Sequence, residues 1–154
     1  MDELTREEAM EVLEREYVAH LGVIADEAPY VTPMSYVVDE SRILFRTMPG
    51  RKLEGIRSNP SVCIEVSRFD GETGDWVSVI VRGTARLVED PDTRQQTVVR
   101  LFEKYEKVMG SPLSRSGGLV PLGGDPQVIE VPIDHISGMS SGRGMHVRTK
   151  PGRL

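Results

Sequence analysis

The chain has 154 residues, a formal net charge of -5, 38% hydrophobic residues and 28% charged residues. That length is enough for one domain with a real core, and the composition is that of a globular chain rather than a disordered one. The acidic balance argues against non-specific nucleic-acid binding, which needs clustered positive charge, and the single cysteine excludes an internal disulfide framework and a cysteine zinc site.

The first residues are acidic with no apolar run behind them, unlike a signal peptide, and no stretch has the length needed to cross a bilayer. A cytoplasmic location with no membrane partner is the expectation. Thr5 followed by Glu8 has the spacing of a capping box. Ala9, Val12, Leu13 and Tyr17 then recur at helical spacing, which predicts an amphipathic helix over residues 6–16.

Two runs rich in β-branched and aromatic residues follow, over residues 17–25 and 30–38, separated by a short turn that suits an antiparallel hairpin. A second short turn leads to a strand over 43–47, so these three strands are expected to form a meander. Pro33 lies inside the middle strand; lacking an N–H, it belongs at an edge, at a bulge, or where the backbone faces something other than a strand.

Residues 43–60 hold the most informative stretch. A strand ends in the hydroxyl of Thr47, turns at Pro49-Gly50, and enters a short helix through Arg51 and Lys52. A helix start carries free N–H groups and positive partial charge, so two cations and a hydroxyl beside it make a candidate phosphate site. The plainer alternative is a strand–helix corner with two solvated cations.

Another strand is expected over 61–67, with Cys63 as a buried, inert thiol. A long strand over 76–88 follows, with Gly83 marking a bulge or bend. Asp90-Pro91 starts a further helix, with an acidic cap and proline in the first turn. Val98, Leu101, Phe102, Tyr105, Val108 and Met109 mark its apolar face. Residues 110–126 are rich in Gly, Ser and Pro and are expected to form a flexible loop, a candidate lid. The last strands are placed at 127–132 and 135–140, and a basic, flexible tail at 143–154.

This order of elements, with short links among the strands, predicts a mainly β fold, an antiparallel barrel with flanking α-helices. No nucleophile elbow, P-loop or zinc-protease motif is present. His20, His135 and His146 stand far apart in the sequence, with no metal-ligand spacing. His20 and His135 read as packing or turn residues, and no catalytic residue is assigned.

The arrangement of Pro33-Met34-Ser35-Tyr36, residues 43–47, Gly50-Arg51-Lys52 and Asn59-Pro60 resembles the flavin-binding split-barrel family related to pyridoxamine 5′-phosphate oxidase. The likeness is nearest to its small nitroimidazole-resistance-like members and extends over residues 5–142. It implies a split β-barrel domain over residues 1–142 and a homodimer with FMN in a groove between subunits. It also implies that Thr47, Arg51 and Lys52 hold the phosphate, while Thr32, Pro33, Met34 and Ser35 lie along the isoalloxazine. Trp76 or Arg82 would reach the flavin from the partner. The implied function is an FMN-dependent oxidoreductase acting on a small molecule. The alternatives are a deazaflavin-coenzyme-dependent reductase and a non-catalytic flavin carrier. Two departures stand out. Arg46 occupies the position where the nitroimidazole-resistance branch commonly has a histidine. The Gly142–His146 segment differs in spacing from the Arg-x-His substrate motif of true pyridoxamine-phosphate oxidases, which argues against vitamin B6 oxidation.

Overall fold

The computed structural model describes residues 1–109 and 126–142. The predicted loop, apart from Pro126, and the predicted tail with His146 therefore lie outside the described residues. A two-residue strand β1 (Asp2–Glu3) precedes helix α1 (Arg6–Arg15). The capping box forms in both directions: Thr5 Oγ1 accepts from the Glu8 N–H (3.2 Å), and the Thr5 N–H donates to Glu8 Oε2 (2.8 Å). Ala9, Val12 and Leu13 are the buried face of α1.

Strands β2 (Ala19–Ala25) and β3 (Ala28–Met34) form the first hairpin. Its turn, Asp26-Glu27, has both residues at positive φ (52° and 61°), the backbone of a two-residue type I′ turn made here without glycine. Strands β4 (Tyr36–Asp39) and β5 (Arg42–Thr47) make a second hairpin. Helix α2 (Arg51–Ser58) follows, then β6 (Ser61–Phe69), β7 (Trp76–Thr84) and β8 (Arg86–Leu87). Helix α3 (Pro91–Met109), β9 (Gln127–Pro132) and β10 (His135–Ser140) complete the described chain.

The strands build two antiparallel sheets, one in the order β1-β10-β7-β6-β2-β3 and the other in the order β4-β5-β9-β8. Their facing sides share one core, with Leu21, Ile64, Val66, Val79 and Val81 from the larger sheet and Ile43, Phe45, Ile129 and Val131 from the smaller. This is a split β-barrel with helices flanking it.

The chain changes sheet at two places where the sequence predicts continuous strands. The stretch 30–38 breaks at Ser35, so the expected three-strand meander is two hairpins in different sheets. At Tyr36 the backbone groups are taken by α3 instead of by another strand. The Tyr36 N–H donates to the Tyr105 hydroxyl (3.0 Å), and Lys104 Nζ donates to the Tyr36 carbonyl (3.1 Å). The stretch 76–88 changes sheet at Ala85, whose N–H donates to the Pro60 carbonyl (2.8 Å). Just before that crossing, a Cβ on Gly83 would lie 3.0 Å from Val131 Cγ1 and 3.1 Å from the Pro132 carbonyl. The two sheets approach there too closely for a larger residue to enter without displacing a neighbour.

Cys63 is exposed, which corrects the expectation of a buried thiol. Along β6, Val62, Ile64 and Val66 point inward, and the period of two sends Cys63 outward. Likewise His20 is a surface residue: its Nδ1 pairs with Glu65 Oε2 across the strands (3.0 Å).

Asp90 caps α3, accepting from the Thr93 N–H (2.9 Å) and hydroxyl (2.6 Å). The helix lies against the smaller sheet, where Leu44, Val88 and Val128 form a second apolar cluster. Its buried line is Thr97, Leu101 and Tyr105 at four-residue spacing; Val108, predicted to share that face, is exposed.

Lys104 is the most unusual cation of this layer. Its Nζ stands 3.8 Å from the centroid of the Tyr36 ring, and burial lowers its pKa to about 8 from 10.5, against the opposing pull of Glu16. The folded chain therefore binds fewer protons here than the unfolded chain between those values, so this residue makes stability rise with pH across that window. Comparing wild type with Lys104→Met by chemical denaturation at several pH values checks this. The wild type is expected to gain stability relative to the variant as pH rises from neutral toward 10. A constant difference would contradict the assignment.

Candidate functional site

Strand β5 carries Ile43, Phe45 and Thr47 into the interior, and Thr47 is 5% exposed. Its hydroxyl donates to the Met48 carbonyl (3.1 Å), which leaves its oxygen able to accept. The chain then bends through Pro49-Gly50 into α2. Gly50 is the N-cap residue and, among the described residues, no side-chain cap hydrogen bond is made at the start of this helix. Arg51 and Lys52 open the helix beside its first N–H groups.

The position of this corner is fixed from below. Leu53, Gly55 and Ile56 are buried, and a Cβ on Gly55 would fall 2.7 Å from the Ile24 carbonyl. Only glycine lets α2 sit directly on β2, and that seating sets where Arg51 and Lys52 stand. Arg51 also reaches the first hairpin: its Nε is 3.9 Å from Asp26 Oδ2, and its guanidinium lies 5.5 Å from the centroid of the Tyr30 ring. The sequence reading missed Tyr30. Its place on the same face of β3 as Thr32 and Met34 was a readable signal.

Strand β3 is the edge of the larger sheet, so Thr32, Pro33 and Met34 pair with β2 on one side only. Pro33 is therefore accommodated at an edge. Ser35 joins β3 to β4, and because Tyr36 stands opposite Phe45, Ser35 and Met34 arrive at the Arg46–Thr47 end of β5. One end of β3 thus meets Arg51 and the other approaches Thr47. The structure thus sets Arg51, at the start of α2, against Tyr30 of the edge strand β3, leads residues 32–35 toward the strand end that carries Thr47, and places Lys52 next to Arg51 in the first turn of α2.

It does not bring Trp76 to them within one chain. Trp76 begins β7, and the sheet order β3-β2-β6-β7 puts it three strands away, about 14 Å at the usual strand spacing. Arg46 also faces away from Thr47. It pairs with Val128 on the α3 side of the smaller sheet, where burial lowers its pKa. Among the described residues no group of three or more His, Cys, Asp or Glu side chains could hold a metal ion.

A phosphate suits this corner. Helix N–H groups, a guanidinium, an ammonium and a hydroxyl give a dianion charge-assisted hydrogen bonds, and the free edge of β3 offers backbone groups to a polar planar molecule. The sequence profile of the pyridoxamine 5′-phosphate oxidase family matches residues 5–140. The chain belongs to the pyridoxamine 5′-phosphate oxidase family. A solved FAD-binding protein from Mesorhizobium loti has the same fold, with a TM-score of 0.71 and 26% identity over 91% of this chain and 97% of that one. A candidate 5-nitroimidazole antibiotic resistance protein from Bacteroides thetaiotaomicron shares the fold at a TM-score of 0.68. Its identity is 20%, over 89% of this chain and 86% of that one. An uncharacterized curated relative from Rhizobium meliloti is 34% identical over 91 residues, which is 59% of this chain and 58% of that protein's length.

Within the pyridoxamine 5′-phosphate oxidase fold, Thr32, Pro33, Met34, Ser35, Thr47, Arg51 and Lys52 lie on the stretch of chain from β3 to α2, and Trp76 lies outside it. No helix among the described residues is long and apolar enough to cross a membrane.

Proposed function

We propose that this protein binds a flavin through its FMN moiety and uses it as an oxidoreductase on a small molecule. The observation that carries the reading is the uncapped start of α2, with Arg51 and Lys52, set beside the free edge of β3. Family membership and the Mesorhizobium loti protein, which binds FAD, support it. In this reading Thr47, Arg51, Lys52 and the α2 N–H groups hold the 5′-phosphate. Residues 32–35 offer backbone donors and acceptors to the ring's polar edge and leave the opposite ring face open to a substrate. The flavin supplies the electron and hydride transfer, and the chain binds, orients and partly desolvates it.

A homodimer completes the site. The outer face of the larger sheet exposes Val31 (63%) and Ile80 (40%), apolar surface of the kind a second copy covers. Trp76 of the partner subunit would then reach the ring that its own chain's Trp76 cannot. A cytoplasmic setting fits this reading.

Two experiments test it. Light scattering is expected to give twice the chain mass; a monomer that still binds flavin would remove the partner from the site. Flavin-loaded protein is expected to oxidise a reduced nicotinamide steadily with an artificial acceptor. Binding without turnover would instead identify a carrier, and turnover only with the deazaflavin coenzyme would identify a deazaflavin-dependent reductase.

A further inference from the structure

On the outer face of the larger sheet, side chains from three neighbouring strands form one hydrogen-bonded row. The Ser78 hydroxyl of β7 donates to Glu65 Oε1 of β6 (3.0 Å), and Glu65 Oε2 meets His20 Nδ1 of β2 (3.0 Å). His20 stands directly opposite Glu65, while Ser78 reaches it diagonally, two positions along β7 from Ile80, the residue opposite Glu65. A carboxylate only accepts, so Nδ1 carries the proton shared with Glu65, and Nε2 is the ring atom left for another molecule. The His20 side chain is 47% exposed, so the ring is accessible. An ordinary surface ion pair leaves its carboxylate free to turn. Here Ser78 holds the second oxygen, which sets the imidazole in one tautomer and one direction. A carboxylate orienting a histidine in this way is the arrangement of a general acid or base.

The place of this row in the sheet gives it a task. On its other side His20 stands directly opposite Pro33 of the edge strand β3. Paired residues of neighbouring strands put their side chains on the same face, about 4.8 Å apart. Pro33 and His20 are both exposed there. The imidazole is therefore one strand in from residues 32–35, the edge to which the isoalloxazine is assigned above.

We propose that His20 is the proton donor to the molecule reduced at this site, with Glu65 and Ser78 as its positioning residues. The inference rests on the flavin reading above and narrows the substrate class. It selects acceptors whose reduction consumes a proton together with an electron pair, such as quinones and other conjugated carbonyl compounds. In the overall reaction a reduced nicotinamide gives up a hydride, which the quinone gains by way of the flavin. The quinone also gains one proton and becomes the hydroquinone. His20 supplies that proton: its Nε2–H bond breaks, an O–H bond forms on the quinone, and the Nδ1–H stays on Glu65. The imidazole then takes a proton back from water.

Placement is tested first, without turnover. Histidine ring NMR signals of the flavin-free protein are followed as FMN is added, those of His20 being identified by their loss in His20→Gln. They are expected to shift as FMN binds; unmoved His20 signals in protein that has bound FMN would overturn the proposal. Oxidation of a reduced nicotinamide by the FMN-loaded protein is then compared with menadione, a quinone that needs protons, and with ferricyanide, which takes electrons alone. The ratio of menadione to ferricyanide turnover is expected to fall about a hundredfold in His20→Gln, the size of a general-acid contribution. Glu65→Gln and Ser78→Ala are expected to lower the same ratio by less, in that order. Bound flavin and a wild-type circular dichroism spectrum show that the variants are folded. A ratio unchanged in His20→Gln would overturn the proposal and leave the flavin reading standing. FMN binding with no turnover of either acceptor would do the same. If FMN does not bind, both readings fall together.

Discussion

Replacing Arg51 and Lys52 together with alanine is expected to weaken flavin mononucleotide binding by about a hundredfold or more. Each cation would give the phosphate a charge-assisted hydrogen bond worth roughly 1.5–3 kcal/mol, and two such losses combine to at least that factor. The helix N–H groups remain, so binding is reduced but not erased. Stability is expected to change little. Arg51 is largely exposed, and its 3.9 Å approach to Asp26 is a surface ion pair of small value. Riboflavin, which lacks the phosphate, is the internal control. Its affinity is expected to be the same in wild type and variant. A variant that loses riboflavin and FMN equally would show a displaced ring site instead, and unchanged FMN affinity would refute the phosphate assignment.

Tyr36→Ala is expected to be the most damaging single change to the fold. Tyr36 is fully buried, and its hydroxyl donates to the Leu13 carbonyl at 2.5 Å, tying β4 to the end of α1. Its ring lies 6.4 Å from that of Phe45, and its backbone is held by Tyr105 and Lys104 of α3. Truncation leaves a cavity where α1, α3 and the smaller sheet meet and removes the partner of a buried carbonyl. Large-to-small changes of an aromatic in a core cost about 3–5 kcal/mol. For a domain of this size that corresponds to a fall in melting temperature of about 10 °C. Tyr36→Phe keeps the ring and is expected to cost about 1–2 kcal/mol, the penalty of one unsatisfied buried group. A melting temperature within 2–3 °C of wild type for the alanine variant would contradict this role.

Much of the local structure is legible in the residues themselves. The Thr5–Glu8 capping box, the Asp90 cap and the strands β9 and β10 form where spacing and turn chemistry place them, because each depends on neighbours within a few positions. The two changes of sheet are not legible. Tyr30, Met34, Tyr36 and Val38 all face the main core, as do Val77, Val79, Val81, Ala85 and Leu87. The alternation stays in phase through Ser35 and through the 83–85 crossing, so periodicity alone sees one strand in each case. What breaks them is distant: α3 side chains at Tyr36, and the Pro60 carbonyl at Ala85. Strand β1 is similarly hidden, being two acidic residues paired to β10.

The candidate site divides along the same line. Thr47, Arg51 and Lys52 are close in sequence, and a strand ending in a hydroxyl before a helix start places them together. That β3 is the free edge beside them depends on strand order, which no local pattern carries. The Arg51–Tyr30 contact depends on Gly55 docking the helix onto β2, a long-range event signalled only by a glycine in a helix. Cys63 shows the converse error. An apolar run suggested burial on both faces, whereas β6 is covered by the barrel core on one face only.

The most direct test of the central claim is reconstitution with flavin. The purified chain, incubated with excess FMN or FAD and then desalted, is expected to be yellow and to hold one flavin per chain, released on denaturation. Colourless protein after this treatment, with no flavin recovered on denaturation, would contradict the account.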